Sequence, residues 1–281
     1  MNHTDDPPPI LAVAGPTASG KSARAVELAK HHDGEVISVD SRQVYRMLDI
    51  GTEKTSAEDM QGIPHHLIDI LDPKETYSAG DFERDAARLI EEIRARGKRP
   101  ILAGGTHFYF DALLYGLPND TTPDPILRKD LESRSVDSLF KEIEERDPRR
   151  AGKIDRMNKR RLVRALEILS THEQVPERDL SQARYAVEWV ILNPERDELR
   201  GRIAERLEQA LAKGLIEEVR AVREYVGDER LDELGLEYRI IGEYLRDERS
   251  EDSLLSSLST KVWHYARHQK AWLRRLTQAN G

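Results

Sequence analysis

The feature that most constrains this chain is the segment GPTASGKS at residues 15–22, which follows the apolar run ILAVA. Its spacing matches G-x-x-x-x-G-K-[ST], the phosphate-binding loop that joins a strand to a helix. Backbone amides and the helix N-terminus face an anion there, Lys21 adds a positive charge, and the Ser22 hydroxyl can ligate Mg²⁺. The loop therefore predicts bound phosphate, but it leaves open whose phosphate is held.

Short runs rich in β-branched residues predict strands at 10–14, 35–39, 100–103 and 187–192. Between these runs, apolar residues recur at helical spacing in 20–32 and in 81–99. One stripe of the second segment holds Phe82, Ala86, Leu89, Ile90 and Ile93. A strand, helix and strand in that order favour a right-handed crossover and parallel pairing. The predicted fold class is α/β, with a P-loop NTPase-like parallel sheet core flanked by helices.

The strand pattern stops after GLP at 116–118, and no strand signal appears before 187. Prolines followed by a highly charged helical pattern predict an inserted all-helical subdomain over 117–186. Residues 1–116 and 187–281 then form the catalytic core with its C-terminal helices. Pro194 stands at a favourable helix start, and two helices separated near Gly214 follow it. A final helix is predicted over 250–276.

Charge is distributed unevenly along the chain. The net charge of −8 argues against indiscriminate binding of nucleic acid, because phosphate neutralisation favours a basic surface. Residues 146–164 nevertheless hold nine Lys or Arg and two Asp, and residues 261–275 add five basic residues, two His and two Trp without an acid. Each run alone is typical of a solvated helix face. Two such runs, one with interleaved aromatics, favour a nucleic-acid partner.

Composition excludes several classes of chemistry and of location. Without cysteine the chain has no disulfide, thiolate nucleophile or cysteine-bound zinc, so a metal must bind through oxygen or histidine. It has no run of 18 apolar residues, and acids and prolines occupy the N-terminus where a signal peptide would be basic and then apolar. The sequence therefore predicts a cytoplasmic protein with no membrane partner.

Polar residues follow two of the predicted strands at the edge where ligands bind in open α/β sheets. Asp40 ends the second strand and can hold Mg²⁺ through water, act as a general base or cap a helix. The donors and acceptors after it suit the edge of a nucleic-acid base: Ser41, Arg42 and Gln43. Thr106 follows a Gly-Gly pair after the third strand and is either a helix cap or a substrate contact.

The adjacent histidines His65 and His66 invite a metal interpretation that their spacing disfavours. Neighbouring residues of a helix point in different directions, so both rings cannot face one metal. We expect packing or loop hydrogen bonds instead.

Several longer blocks together resemble the tRNA dimethylallyltransferases in order and spacing. They are GPTASGKS, DSRQVYRMLDIGTEK, GIPHHLIDILDPKETYSAGDF, GGTHFYFDALLYGLP, KRRLVRALEI and GLIEEV. The chain is similar to a bacterial-type member over nearly its whole length. The resemblance implies transfer of a dimethylallyl group from dimethylallyl diphosphate to the exocyclic N6 amine of adenosine 37 of tRNA, with release of diphosphate. It also implies Mg²⁺ as cofactor, the anticodon stem-loop as binding partner, and a monomer.

The resemblance also implies roles for individual residues. Asp40 is the catalytic base, Thr106 lies at the reaction centre, and Ser22 ligates Mg²⁺. The diphosphate is held by Gly15, Pro16, Thr17, Ala18, Ser19, Gly20, Lys21, Ser22 and Arg239. The tRNA is bound by Asp40, Ser41, Arg42, Gln43, Thr106, Arg128, Arg160, Arg161, Leu162, Val163 and Arg164. The chain departs from the family at Glu53, where GTEKT replaces GTAKP, and at Glu237, where a Gly often precedes the Tyr.

Three other functions remain open on the sequence. An isopentenyltransferase acting on free adenine nucleotide shares the loop and the aspartate, but it would not need the basic insertion. A small-molecule P-loop kinase would use arginines of the insertion over ATP, yet nothing in DSRQVYR selects a phosphoryl acceptor over a base. A nucleic-acid-binding protein with a vestigial loop is disfavoured, because Lys21, Ser22 and Asp40 are all intact.

Overall fold

A computed structural model describes residues 8–117, 124–177 and 183–279, with side chains to 275. Within these ranges five parallel strands form one sheet in the order β3-β2-β4-β1-β5. They are β1 (Ile10–Ala14), β2 (Gly34–Val39), β3 (His65–His66), β4 (Arg99–Gly104) and β5 (Val187–Ile191). The four predicted strands are confirmed to within one residue at each end. The two-residue β3 was not predicted, and it corrects the loop expected at the paired histidines.

The described ranges contain thirteen helices. They are α1 (Lys21–His31), α2 (Ala57–Met60), α3 (Ala79–Ala95), α4 (His107–Tyr115), α5 (Pro125–Ser133), α6 (Val136–Arg146), α7 (Pro148–Ala151), α8 (Lys159–Leu169), α9 (Arg196–Ala212), α10 (Leu215–Val226), α11 (Asp228–Leu231), α12 (Leu236–Leu245) and α13 (Glu251–Ala279). The break at Gly214 and the long final helix are confirmed. Pro194 lies before the Glu195 cap of α9, so it precedes the helix and does not start it.

Helix α3 shows how the sequence specifies its own packing. Ser78 caps it and exchanges hydrogen bonds with Asp81, so orphan amides at the helix start are satisfied reciprocally. The five apolar residues of the predicted stripe are all buried, and Phe82 stacks on Tyr109 of α4 with ring centroids 4.3 Å apart. The helix is therefore fixed against the sheet by one continuous apolar face.

The chain divides into two compact units, one formed by 1–114 with 184–281 and the other by 115–183. The boundaries predicted from the sequence lie at 116/117 and 186/187. The second unit has its own apolar core, and its described residues are helical without a strand. Parts of three predicted segments lie outside the described residues: 1–7 of the N-terminus, 118–123 and 178–182 of the insertion, and 280–281 of the core. Across the described ranges no helix has both the length and the apolar character needed to cross a membrane.

Sheet order brings three strand ends together at the edge where the site forms. Strand β4 lies between β2 and β1, with Gly104 in register with both Val39 and Ala14. A Cβ on Gly104 would lie 2.1 Å from the Val39 carbonyl oxygen, so only glycine allows this approach. The Thr106 amide then donates to the same carbonyl at 3.1 Å. The residues that follow β1, β2 and β4 are thereby held side by side.

Candidate active site

The phosphate loop connects β1 to α1 in the strand–loop–helix arrangement that its sequence predicts. Gly20 caps α1 at φ 85°, a left-handed conformation that favours glycine, and Lys21 begins the helix. The Lys21 ammonium donates to the Pro16 carbonyl at 2.7 Å. Burial lowers the pKa of Lys21 to about 8, although the Asp40 carboxylate opposes this shift. The loop thus presents a desolvated cation that can exchange its carbonyl partner for an anion.

The remaining loop residues provide amides and close packing. A Cβ on Gly15 would lie 2.5 Å from the Ser19 Oγ and 2.8 Å from the Leu192 carbonyl oxygen. Ala18 has φ 57°, and the Ser19 hydroxyl is buried with no hydrogen-bond partner among the described residues. The Ser22 hydroxyl is exposed at the first turn of α1. Hydroxyl oxygen is a ligand type that Mg²⁺ accepts, whereas no cluster of three His, Asp or Glu that could hold a metal occurs in the described ranges.

Asp40 and Thr106 are brought together by the backbone between them. Asp40 Oδ1 accepts from the amides of Arg42 at 2.8 Å and Gln43 at 3.3 Å, which fixes the turn after β2. Thr106 Oγ1 accepts from the Ser41 amide at 3.1 Å. The side chain of Thr106 therefore joins the two strand ends. The Oδ2 atom of Asp40 has no hydrogen-bond partner in the described part of the chain and is available as a proton acceptor.

Gln43 is more constrained than its position after the strand indicates. Its Nε2 donates to the carbonyls of Thr52 at 3.1 Å and Glu53 at 3.3 Å, while its Oε1 accepts from the Ser38 hydroxyl at 2.9 Å. In this arrangement the amide supports the turn that carries Asp40. Its assignment to tRNA binding stays a prediction.

The loop at 49–53 is anchored from α10. Glu218 accepts from the amides of Asp49 at 3.0 Å, Ile50 at 2.7 Å and Gly51 at 3.0 Å, and from the Tyr238 hydroxyl at 2.6 Å. Four donors on one carboxylate make a strong, directional anchor. The loop in turn presents the two carbonyls that hold Gln43 and the carboxylate of Glu53.

Sequence reasoning missed a second cation at the phosphate loop. Arg206 of α9 donates to the Thr17 hydroxyl, to Glu53 at 3.0 Å and to Glu237 at 2.6 Å, and its side chain is only 12% exposed. Neighbouring carboxylates raise its pKa against the opposing effect of burial, so it is a permanent cation. The departures from the family motifs at Glu53 and Glu237 were the available signal, because both carboxylates meet this one guanidinium.

Helix α13 contributes two further residues that its composition did not single out. Gln269 is buried, accepts from the Thr17 amide at 2.9 Å and donates to the Gly105 carbonyl at 2.9 Å, so it links the phosphate loop to the loop after β4. Tyr265, 44% exposed, lies close to Asp40 and Thr106. Desolvation and the nearby Asp40 carboxylate raise the pKa of Tyr265, which keeps its hydroxyl protonated.

Arg239 is not brought to the phosphate loop. Its exposed guanidinium donates twice to the Asp232 carbonyl, at 3.0 and 2.7 Å. Glu237, two residues earlier, faces Arg206 instead. Arg206 is thus an arginine that contacts the phosphate loop, while the assignment of Arg239 to the diphosphate stays a prediction.

The predicted RNA-contact residues of the helical unit fall into two groups, those that are buried or paired with Glu167 and those that are exposed. Arg128 donates to the buried Glu167 at 2.7 and 2.9 Å, and Arg164 joins that carboxylate at 3.1 Å. Leu162 and Val163 are buried in the core of the unit, so their side chains cannot reach a ligand in this structure. Arg160 and Arg161 are exposed on α8. The exposed arginines are the part of the basic run best placed to meet a phosphate backbone.

Comparison with known proteins places this geometry in context. Residues 43–276 match the family model described as IPP transferase. A tRNA dimethylallyltransferase of Thermomicrobium roseum is 44% identical over 96% of this chain and 84% of its own length. A protein of that name from Methylococcus capsulatus is 39% identical over 97% of this chain and 91% of its own length.

Two solved structures have the same architecture. The tRNA isopentenylpyrophosphate transferase of Bacillus halodurans gives a TM-score of 0.71 at 38% identity, over 95% of this chain and 86% of the other. A eukaryotic dimethylallyltransferase acting on tRNA gives a TM-score of 0.83 at 28% identity, over 94% of this chain and 69% of the other.

Proposed function

The chain belongs to the IPP transferase family and is a tRNA dimethylallyltransferase, and from that premise we propose which atoms react and which residues act on them. The acceptor is the exocyclic N6 amine of adenosine 37, and the donor is dimethylallyl diphosphate. A bond forms between N6 and the allylic carbon while the bond from that carbon to the diphosphate oxygen breaks. Diphosphate leaves with the bonding electron pair, and one proton leaves N6.

Asp40 receives that proton. An adenine amine is a weak nucleophile because its lone pair is delocalised into the ring, so a positioned carboxylate helps as the new bond forms. Asp40 Oδ1 is held by two amides, and its second oxygen is open to the amine. Thr106, whose hydroxyl accepts from the Ser41 amide, and the nearby Tyr265 lie beside it and can orient the adenine. The observation that carries the proposal is this carboxylate at the end of β2. Strand β4 alone separates β2 from β1, which leads into the phosphate loop.

Charge builds on the diphosphate as the allylic bond breaks, and the opposite side of the site is built to receive it. Lys21 and the start of α1 are placed to face that charge, and Arg206 adds a second cation. The Ser22 hydroxyl would hold Mg²⁺, and the ion would supply Lewis-acid stabilisation of the leaving group when bound. Arg239 remains a candidate only if its guanidinium leaves the Asp232 carbonyl.

The tRNA is held by the helical unit through its exposed basic residues. A base within a folded stem-loop has to turn outward to reach a buried site, so backbone contacts must hold the loop while it does. Arg160 and Arg161 are exposed at the start of α8 and suit that role. We place the reaction in the cytoplasm, where tRNA is available, and assign it to a monomer because both reacting sides of the site come from one chain.

Neutralising Arg160 and Arg161 together should weaken tRNA binding and flatten its salt dependence. Each lost phosphate contact removes about 0.7–0.9 from the slope of log K against log salt, so the double Gln variant should lose about 1.5. Filter binding between about 50 and 200 mM salt measures that slope. Lys129→Gln with Lys141→Gln changes the charge of the same unit equally and should leave the slope unchanged. An unchanged slope in the arginine variant would move the tRNA surface elsewhere.

A prenylation assay with tRNA and AMP side by side tests the function itself. Purified protein with Mg²⁺ and labelled dimethylallyl diphosphate should label unmodified tRNA that bears adenosine at position 37, and it should leave AMP unlabelled. Labelling of AMP alone would identify an isopentenyltransferase of free adenine nucleotide. ATP consumption without prenylated RNA would identify a kinase.

A further inference from the structure

Arg206, beside the phosphate loop, is already paired with two carboxylates in the absence of a bound anion. Glu53 accepts from its Nη1 at 3.0 Å and Glu237 from its Nη2 at 2.6 Å, while the same Nη1 also donates to Thr17 of the loop. Its Nε is buried and has no hydrogen-bond partner among the described residues. The guanidinium thus donates hydrogen bonds both to two carboxylates and to the phosphate loop, where it would add positive charge.

The backbone that carries each carboxylate is held in place, and each carboxylate accepts from Arg206. Glu53 belongs to the loop that Glu218 anchors through three amides, and the Glu53 carbonyl accepts from Gln43. Glu237 stands in the first turn of α12 with its side chain 16% exposed. The Glu53 side chain is 44% exposed, but the loop that carries it is anchored, so both carboxylates stay within reach of Arg206.

Negative side chains around the loop therefore outnumber the positive ones before any ligand arrives. Lys21 and Arg206 are positive, while Asp40, Glu53 and Glu237 are negative, and Glu53 also acts on Lys21 electrostatically. A diphosphate that enters must approach two carboxylates in order to reach Arg206. Like charges within several ångströms in a partly buried site repel by an amount that changes affinity measurably.

We propose that Glu53 and Glu237 act as resident counter-anions of Arg206, which a diphosphate has to displace, and that they thereby limit how tightly the site holds diphosphate. The proposal rests on the proposed function in one respect, namely that Arg206 faces the diphosphate. When the product diphosphate leaves, the two carboxylates form their ion pairs with the guanidinium again. Glu53 and Glu237 are in this sense positioning residues that favour release of the product.

Isosteric neutralisation tests the proposal through a gain of binding. Glu53→Gln and Glu237→Gln each keep an oxygen that accepts from Arg206 but remove the negative charge. We expect each variant to bind inorganic diphosphate with Mg²⁺ about three- to tenfold more tightly than the unaltered protein in titration calorimetry, and the double variant more tightly still. Glu208→Gln makes the same charge change on an exposed position of α9 and should leave the affinity unchanged.

Product inhibition provides the second readout. The inhibition constant of inorganic diphosphate in the prenylation assay should fall by the same factor, whereas a purely structural role would weaken binding together with thermal stability. If the unaltered protein binds no diphosphate, the proposed function loses its phosphate site. If it binds diphosphate but the Gln variants bind equally or more weakly, the counter-anion role is wrong. Each carboxylate contacts the guanidinium separately. If one variant fails to fold, the diphosphate affinity of the other variant still tests the counter-anion role.

Discussion

Asp40→Asn lowers the single-turnover rate of tRNA prenylation by about 10²-fold or more and leaves tRNA affinity largely intact. The asparagine carbonyl oxygen can still accept from the amides of Arg42 and Gln43, so the turn after β2 keeps its shape. The other oxygen becomes an NH₂ group, which cannot accept a proton from N6. The loss therefore falls on the chemical step. Rapid-quench measurement with enzyme in excess over tRNA isolates that step from product release.

Asp72→Asn is a matched control for this variant. Asp72 Oδ1 accepts from the Lys74 amide at 2.9 Å, two residues on, as Asp40 Oδ1 accepts from Arg42. The same atom is exchanged in a similar turn away from the phosphate loop, and the prenylation rate should not change. Near-normal single-turnover prenylation by Asp40→Asn would remove Asp40 from the mechanism as a base and leave it a structural turn residue.

The sheet could be predicted from sequence because four of its five strands have a recognisable pattern within their own residues. The run at 10–14 is fully buried on both faces, and such strands appear as continuous apolar segments between turn signals. Strand β3 escaped prediction because two histidines have no strand pattern of their own. They join the edge through pairing with β2 and through the bond of His66 to Glu35 at 2.7 Å, which is a tertiary contact.

The site residues also differ in whether a local sequence motif or a contact distant in sequence brings them to the site. Lys21, Asp40 and Thr106 each follow a strand within a recognisable motif, so their shared edge followed from parallel topology. Arg206 and Gln269 reach Thr17 from 189 and 252 positions away, and neither carries a local signal. Leu162 and Val163 show the opposite case, and their assignment to tRNA binding stays a prediction. Their motif placed them with the RNA contacts, yet helical spacing turns both toward the core.

Lys21→Met should lower kcat/KM for dimethylallyl diphosphate by about 10²- to 10³-fold, the usual cost of removing one fixed donor to a developing oxyanion. Lys21 is desolvated, and within the described ranges its ammonium donates only to the Pro16 carbonyl, so its charge is available to the leaving group. Lys30→Met removes the same charge from an exposed position of α1 and should retain the unaltered kcat/KM. Full activity of Lys21→Met would mean that the loop holds no reacting diphosphate.

The pH profile identifies Lys21 as the source of that charge. Burial lowers the pKa of Lys21 to about 8, so in the free protein the ammonium is present below that pH and is lost as pH rises through it. Because kcat/KM reports the free enzyme, it should fall above about pH 8, while the diphosphate stays fully ionised. Bound diphosphate stabilises the ammonium and raises the Lys21 pKa, so the fall in kcat should come at higher pH. Lys21→Arg keeps its charge throughout, and its kcat/KM should therefore stay level across the range in which that of the unaltered protein falls.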